Sequence, residues 1–369
     1  MDRFLLTKLI LQRIARKTLK HLHTMKKVAI RNTSTLTRRD FMGKTALAIG
    51  GIAIVTPSVI GAPAISKNLG KPNSKFNGVQ IGAISYSFRS LPNNAEQLLK
   101  YCIECNISAI ELMGDTGEEF AGAPNTSTEP RIPQGPGRAG ARPEPTPEEQ
   151  ATRQQKAKEI AIWRAAVSMD KFIQLRKMYS DAGVSIYAWK PNALGEKNTD
   201  AEIDYALRSA KALGATHVTV EIPSNAGQSK RLGAFAEKHK IGIAYHGHLQ
   251  QTITSWDEAL AQSKYNGLNC DLGHYVAAGF DPIPLLESKH ERIYSMHVKD
   301  RKSKVNGGTN MPWGEGDTPI EQVLQLMKQN KYKFPATIEM EYDVPEGSDA
   351  VKEVAKCLDY CRKVLEKKT

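Results

Sequence analysis

The chain has 369 residues, with 51 Lys and Arg against 39 Asp and Glu, a formal charge of +12. At 40% hydrophobic and 24% charged residues it has apolar material for a packed core, which excludes global disorder. The charge is local: residues 1–44 hold twelve basic residues against Asp2 and Asp40, and the remainder is nearly neutral at 39 against 37, which argues against polyanion binding driven by overall charge.

Residues 1–24 are a basic extension before Met25-Lys26-Lys27, which would make a more ordinary start. Thr37-Arg38-Arg39-Asp40-Phe41-Met42 then precedes an apolar, uncharged run from Thr45 to Ile60, and Ala62-Pro63-Ala64 follows. A basic flank, an apolar centre and a small-residue end are the parts of an export signal. The paired arginines resemble the twin-arginine type, which is read by an export machinery. The expectation is a signal over residues 1–64, cleaved near residue 64, and a periplasmic mature chain. A retained membrane anchor is the alternative, although the run is shorter than the ~20 residues a span needs. Among Cys102, Cys105, Cys270, Cys357 and Cys361 no second pair has zinc-finger spacing, and buried free thiols are expected.

From residue 65 to 369, eight short apolar runs read as strands: Val79–Ser85, Ile107–Leu112, Val184–Trp189, His217–Ile222, Ile241–His246, Leu268–Leu272, Ile293–Val298 and Pro335–Met340. Helical patterns fill the gaps at Ala95–Cys105, Ala151–Ala182, Ala201–Leu213, Lys230–His239, Ser255–Ser263, Ile320–Gln329 and Asp349–Leu365. Alternation of strand and helix demands a parallel sheet. Eight units in about 300 residues predict an α/β fold of the (β/α)8 TIM barrel type. No Gly-x-Gly-x-x-Gly follows the first strand, which lowers the doubly wound alternative. Residues 116–149 are rich in Pro and Gly and break the rhythm. They read as a long insertion after the second strand, either a lid or a surface loop.

The strand ends carry the chemistry. In order they offer Glu111, then Trp189-Lys190, Glu221, His246-Gly247-His248, Asp271-Leu272-Gly273-His274, His297-Val298-Lys299-Asp300 and Glu339-Met340-Glu341. That rim is where barrel enzymes act. Strand residues two apart share a side, so His246 with His248, and His297 with Lys299, point together. Two imidazoles and two carboxylates form a site for one divalent metal ion, with His246, Asp271, His297 and Glu339 as ligands and Glu221 as the substitute for His246. Mixed nitrogen and oxygen donors suit Mn, Zn, Co or Fe. His248 and Glu221 are candidate bases, and His274 and Lys299 candidate second acids or substrate contacts. Glu111, Trp189, Lys190, Arg301 and Trp313 are candidate substrate-binding residues, the two tryptophans by stacking on a sugar face.

On Tyr245-His246-Gly247-His248, Asp271-Leu272-Gly273-His274, His297-Val298-Lys299-Asp300-Arg301, Glu339 and the loop Asn310–Asp317, the chain resembles the xylose-isomerase-like sugar isomerase/epimerase superfamily, which also includes inosose dehydratase, dehydroshikimate dehydratases and endonuclease IV. The resemblance runs from Val79 to the C-terminus. It implies a metal-dependent enzyme that removes a proton next to a carbonyl of a sugar or keto-sugar through an enediolate. Isomerisation or epimerisation is the first expectation, and a lyase or dehydratase with the same metal site the second. Epimerases of this kind carry Glu where His246 stands, so the two-glutamate mechanism does not transfer directly. A nuclease would need further histidine ligands on the early strands, which the sequence does not offer there. No nucleic-acid partner is expected; an oligomer is compatible with the sequence.

Overall fold

The structure is a computed structural model and describes residues 70–127, 130 and 145–367. The expected extension and signal over residues 1–64 and the central part of the insertion lie outside the described residues. Eight strands form the core: β1 Val79–Ile84, β2 Ala109–Met113, β3 Ser185–Lys190, β4 His217–Glu221, β5 Gly242–His246, β6 Asn266–Asp271, β7 Ile293–Val298 and β8 Ala336–Ile338. Each pairs in parallel with its neighbours, and β8 returns to β1 through Ala336 opposite Ile81, closing a (β/α)8 TIM barrel. Parallel neighbours require a crossover, and helices supply it: α1 Ala95–Glu104, α2 Gly114–Phe120, α3 Pro147–Ala166, α4 Asp170–Asp181, α5 Asp200–Leu213, α6 Ala226–His239, α7 Asp257–Gln262, α8 Leu272–Ala277, α9 Pro282–Lys289, α10 Ile320–Asn330 and α11 Ala350–Glu366.

The helix boundaries follow local chemistry. Thr146 and Glu149 form a capping box ahead of α3, and Pro147 opens it. Thr199 and Glu202 do the same for α5, which ends on Gly214 in the left-handed region. The single helix expected over residues 151–182 is two, because Val167 turns extended (ψ 136°) after α3. The expected loop over 116–149 is shortened at both ends, by α2 and by the first turn of α3. Those two helices are tied together by Arg164, whose fork donates to both oxygens of buried Glu118 (2.9 and 3.1 Å) and to Glu202 on α5 (3.0 Å). All five cysteines are free and buried.

Inside the barrel an aromatic layer closes the end opposite the strand C-termini. The His217 ring stacks on Tyr294 at 5.3 Å, and Tyr187 lies 6.1 Å from His217 and hydrogen-bonds Thr337 at 2.6 Å. Tyr294 fits because β5 and β6 carry glycine beside it: a Cβ at Gly242 or Gly267 would lie 2.4 Å from its ring. The register slips by one residue in two places. Ile110 faces Ile186 but Glu111 faces Ala188, and Leu268 faces Ile293 but Asn269 faces Ser295. Each slip inserts one tyrosine, Tyr187 or Tyr294, and reverses the in–out alternation beyond it.

Candidate metal and acid–base site

Asp271 ends β6 and caps α8. Its Oδ1 accepts the His274 backbone N–H at 2.7 Å, which fixes the carboxylate and explains the Asp-x-x-His spacing. Its Oδ2 is buried, accepts no hydrogen bond of good geometry, and lies 3.0 Å from the Lys299 ammonium. Ligand atoms of His246, Asp271 and His297 lie within 4.8 Å of one another, all buried, and Glu221, His246 and His248 form a second such group.

Both imidazoles of the first group are oriented from behind. His246 Nδ1 is 2.8 Å from Asn269 Oδ1. That oxygen only accepts, so Nδ1 carries the proton and Nε2 presents its lone pair. Burial first, then Lys190 and His297, lower the His246 pKa and keep it neutral. His297 Nε2 is 2.9 Å from Glu111 Oε2, and its Nδ1 is 3.0 Å from Glu339 Oε2 and 3.9 Å from Asp271 Oδ2. Burial alone would lower the His297 pKa, but Glu339 and Glu111 push it up to about 10. Ligation requires Nδ1 to release its proton, while Glu111 continues to hold Nε2, the carboxylate–histidine arrangement common behind metal ligands. A buried carboxylate oxygen that accepts no hydrogen bond of good geometry and faces only cationic partners, and two imidazoles each with one nitrogen held from behind, are a donor set that fits a divalent cation.

Glu339 stands nearer Lys299 than to the rest of the set. Lys299 is buried, with Nζ 2.7 Å from Glu339, 3.0 Å from Asp271 Oδ2 and 2.6 Å from Glu341. Burial would lower its pKa, but the three carboxylates raise it. Lys299, expected as a second acid, is therefore a counter-ion of the carboxylate cluster.

Beside this cage, His248 Nδ1 is 3.1 Å from Glu221 Oε2, and Glu221 Oε1 accepts from Lys190 Nζ at 3.0 Å. The Glu221 hydrogen bond, against the opposing effect of burial, raises His248. The His248 ring lies 4.9 Å from His246 and 4.7 Å from His274. His274 Nδ1 meets Arg301 at 2.6 Å, and burial, Lys299 and Arg301 all lower its pKa. Arg301 is anchored in turn by Gly308 O, which accepts its Nε–H at 2.9 Å. Asp300 shapes the following loop by accepting from the backbone N–H of Gly314, Gly316 and Thr318 (2.8, 2.9 and 3.2 Å). At Gly316 a Cβ would fall 2.0 Å from Asp300 Oδ1.

Three expected substrate contacts are placed elsewhere. Trp189 is fully buried on the helix side of β3, edge-on to Phe172 at 6.1 Å, because the slip at Tyr187 turns it away from the barrel axis. Glu111 is fully buried beneath His297 and also accepts from Thr219 at 2.7 Å, so it orients an imidazole instead of meeting a substrate. Trp313 packs edge-on against Tyr360 of α11 at 5.9 Å. The sequence reading missed Asn269, which donates to Ser295 Oγ at 2.7 Å while holding His246. Its place two residues before Asp271 on one strand was the available signal.

The arrangement sits in company. The inosose dehydratase of Mesomycoplasma hyopneumoniae (strain 7448) is 28% identical over 156 residues, 37% of this chain and 52% of that protein. The chain thus spans about half the length of the curated relatives it matches. Among solved structures, the probable 3-DHS dehydratase AsbF of Bacillus anthracis superposes with a TM-score of 0.53 at 13% identity, over 79% of this chain and 100% of that one. The 3-keto-D-glucoside 4-epimerase YcjR of E. coli gives 0.51 at 10% identity, over 77% and 99%. At such identities these two likenesses speak for the fold. The family profile matches residues 142–361, and with the closed barrel this places the chain in the xylose isomerase-like TIM barrel family.

Proposed function

We propose that this barrel is a divalent-metal-dependent enzyme that removes the proton next to a carbonyl of a small sugar or keto-sugar. One observation carries the reading: ligand atoms of His246, Asp271 and His297 converge within 4.8 Å, all buried and with the imidazoles oriented from behind, beside the Glu221–His248 pair. Mn, Zn, Co and Fe suit these donors. When bound, the cation would supply Lewis acidity toward the carbonyl oxygen and its neighbouring hydroxyl. His248 is the base: Glu221 accepts its Nδ1–H and Nε2 receives the proton from carbon. Return of that proton to carbon gives an isomer or epimer. Loss of a substituent one carbon further on gives a dehydratase or lyase, and the inosose dehydratase relatives favour this second outcome.

The test is metal analysis of the purified protein, followed by deuterium exchange in D2O on 2-keto-myo-inositol, methyl 3-keto-β-glucoside and its para-nitrophenyl counterpart. Bound metal and exchange at the carbon next to the carbonyl are expected; metal with no exchange on any of the three would sink the reading. Asp271→Ala should lose the metal. The leader reading is likewise a proposal: Arg38→Lys with Arg39→Lys should abolish export, and unchanged export would dismiss it.

A further inference from the structure

We propose that Arg301 locks His274 as a neutral imidazole bearing its proton on Nε2, and that this N–H, beside the His248 base, holds the oxygen that departs in a syn elimination. The inference rests on the carbonyl chemistry above and adds which of its two outcomes the site performs.

The tautomer follows from donors and acceptors. A guanidinium only donates, so His274 Nδ1, 2.6 Å from Arg301, must accept and carries no proton. The proton of the ring is then on Nε2, and among the described residues nothing accepts it. Arg301 cannot easily turn aside, because Nε and a second nitrogen both donate to Gly308 O. His248 has the opposite arrangement: its Nδ1–H points at the Glu221 carboxylate, and Nε2 is the receiving nitrogen. The two rings stand 4.7 Å apart and nearly perpendicular, at 74°.

A base and a hydrogen-bond donor this close address neighbouring atoms on one side of a substrate. Inversion of a carbon needs removal and return of the proton on opposite faces, and Lys299 is held among three carboxylates. In the elimination, His248 Nε2 takes the proton from the carbon next to the carbonyl. The C–H electron pair becomes the new C=C bond. The C–O bond one carbon further on breaks with its electrons on oxygen, which the His274 Nε2–H stabilises. His248 then passes its proton to that oxygen, releasing water or an alcohol. The protein ends as it began.

Two measurements test this. In full-length protein labelled with [15N]histidine, without metal and with Zn2+, His274 should show a protonated Nε2 and a bare Nδ1 at neutral pH. Arg301→Met should remove that preference. A wild-type His274 protonated on Nδ1, or on both nitrogens, would overturn the lock whatever the catalytic result. With metal-loaded enzyme, methyl 3-keto-β-glucoside should release methanol, and His274→Leu should slow that release about 10²-fold, the loss typical of one oxyanion donor. Release from the para-nitrophenyl compound should fall only a few-fold, since nitrophenolate departs without such help. Equal losses on both substrates, or inversion without release, would overturn the elimination; absence of any deuterium exchange would instead condemn the carbonyl reading beneath it.

Discussion

Glu111→Gln tests whether a residue with no access to substrate controls the cage. Glu111 Oε2 faces His297 Nε2 at 2.9 Å and Asn269 Nδ2 at 3.3 Å, and Oε1 accepts from Thr219 at 2.7 Å. The amide has the same shape but replaces one acceptor with a donor. If its NH2 faces His297, two buried donors lose their partner; if it turns, Thr219 loses its own. Each orphaned donor costs about 1–3 kcal/mol. The imidazole also loses the anion behind it, a change that typically lowers metal affinity about 10–100-fold, or about 1.4–2.7 kcal/mol. Calorimetric titration of metal-free protein with Mn2+ and Zn2+ reads the affinity, and urea unfolding followed by tryptophan fluorescence reads the fold. The expected result is a folded variant, less stable and binding metal 10–100-fold more weakly. A folded Glu111→Gln protein whose affinity lies within threefold of the wild type would refute the orienting role.

Arg164→Met should destabilise the fold by about 3–5 kcal/mol, since it strands two carboxylates in a place where the Arg164 side chain is only 5% exposed; a urea midpoint close to wild type would contradict this. Gly267→Ala should cost at least about 1–3 kcal/mol, because its Cβ would lie 2.5 Å from the Arg292 carbonyl oxygen as well as against Tyr294; an unchanged melting temperature would count against the packed floor. Burial would raise the Asp204 pKa, but Lys238, His239 and Arg208 outweigh it and hold the carboxyl at about 2, below its unfolded value of about 3.9. The folded pKa is the lower one, so the stabilisation is complete above about pH 4 and fades as pH falls towards 2. The stability gap between wild type and Asp204→Asn, measured in urea at pH 5 and pH 3, should therefore narrow at the lower pH; a constant gap would refute the assignment.

The barrel was legible because its strands are short β-branched runs separated by helical periods, and the residue types at their ends are ones that water-filled rims accept and cores reject. His246, Asp271 and His297, whose ligand atoms the fold brings within 4.8 Å of one another, were singled out this way. Alternation along a strand says which residues share a side but not which side is inward, and a single inserted residue reverses the answer. Hence Trp189 was misplaced: nothing in Ser-Ile-Tyr-Ala-Trp-Lys announces that Tyr187 is an extra residue. Glu111 was assigned by type, and its depth depends on Asn269 and Thr219, which come from strands far away in sequence. Lys299 looked like a free acid because the approach of Glu339 and Glu341 is a property of the closed circle. The break between α3 and α4 turns on Val167, which has no proline or glycine signal beside it.

Among the described residues the rings of Tyr187, His217 and Tyr294 fill the barrel floor, His217 stacked on Tyr294 and tilted against Tyr187, which leaves the strand ends as the way in. On the proposed function, a product made at the strand ends would leave along the route by which its precursor arrived, and an ion held in the cage would use the same passage. A sugar lodged above it would act as a stopper, slowing the escape of the ion to a chelator outside.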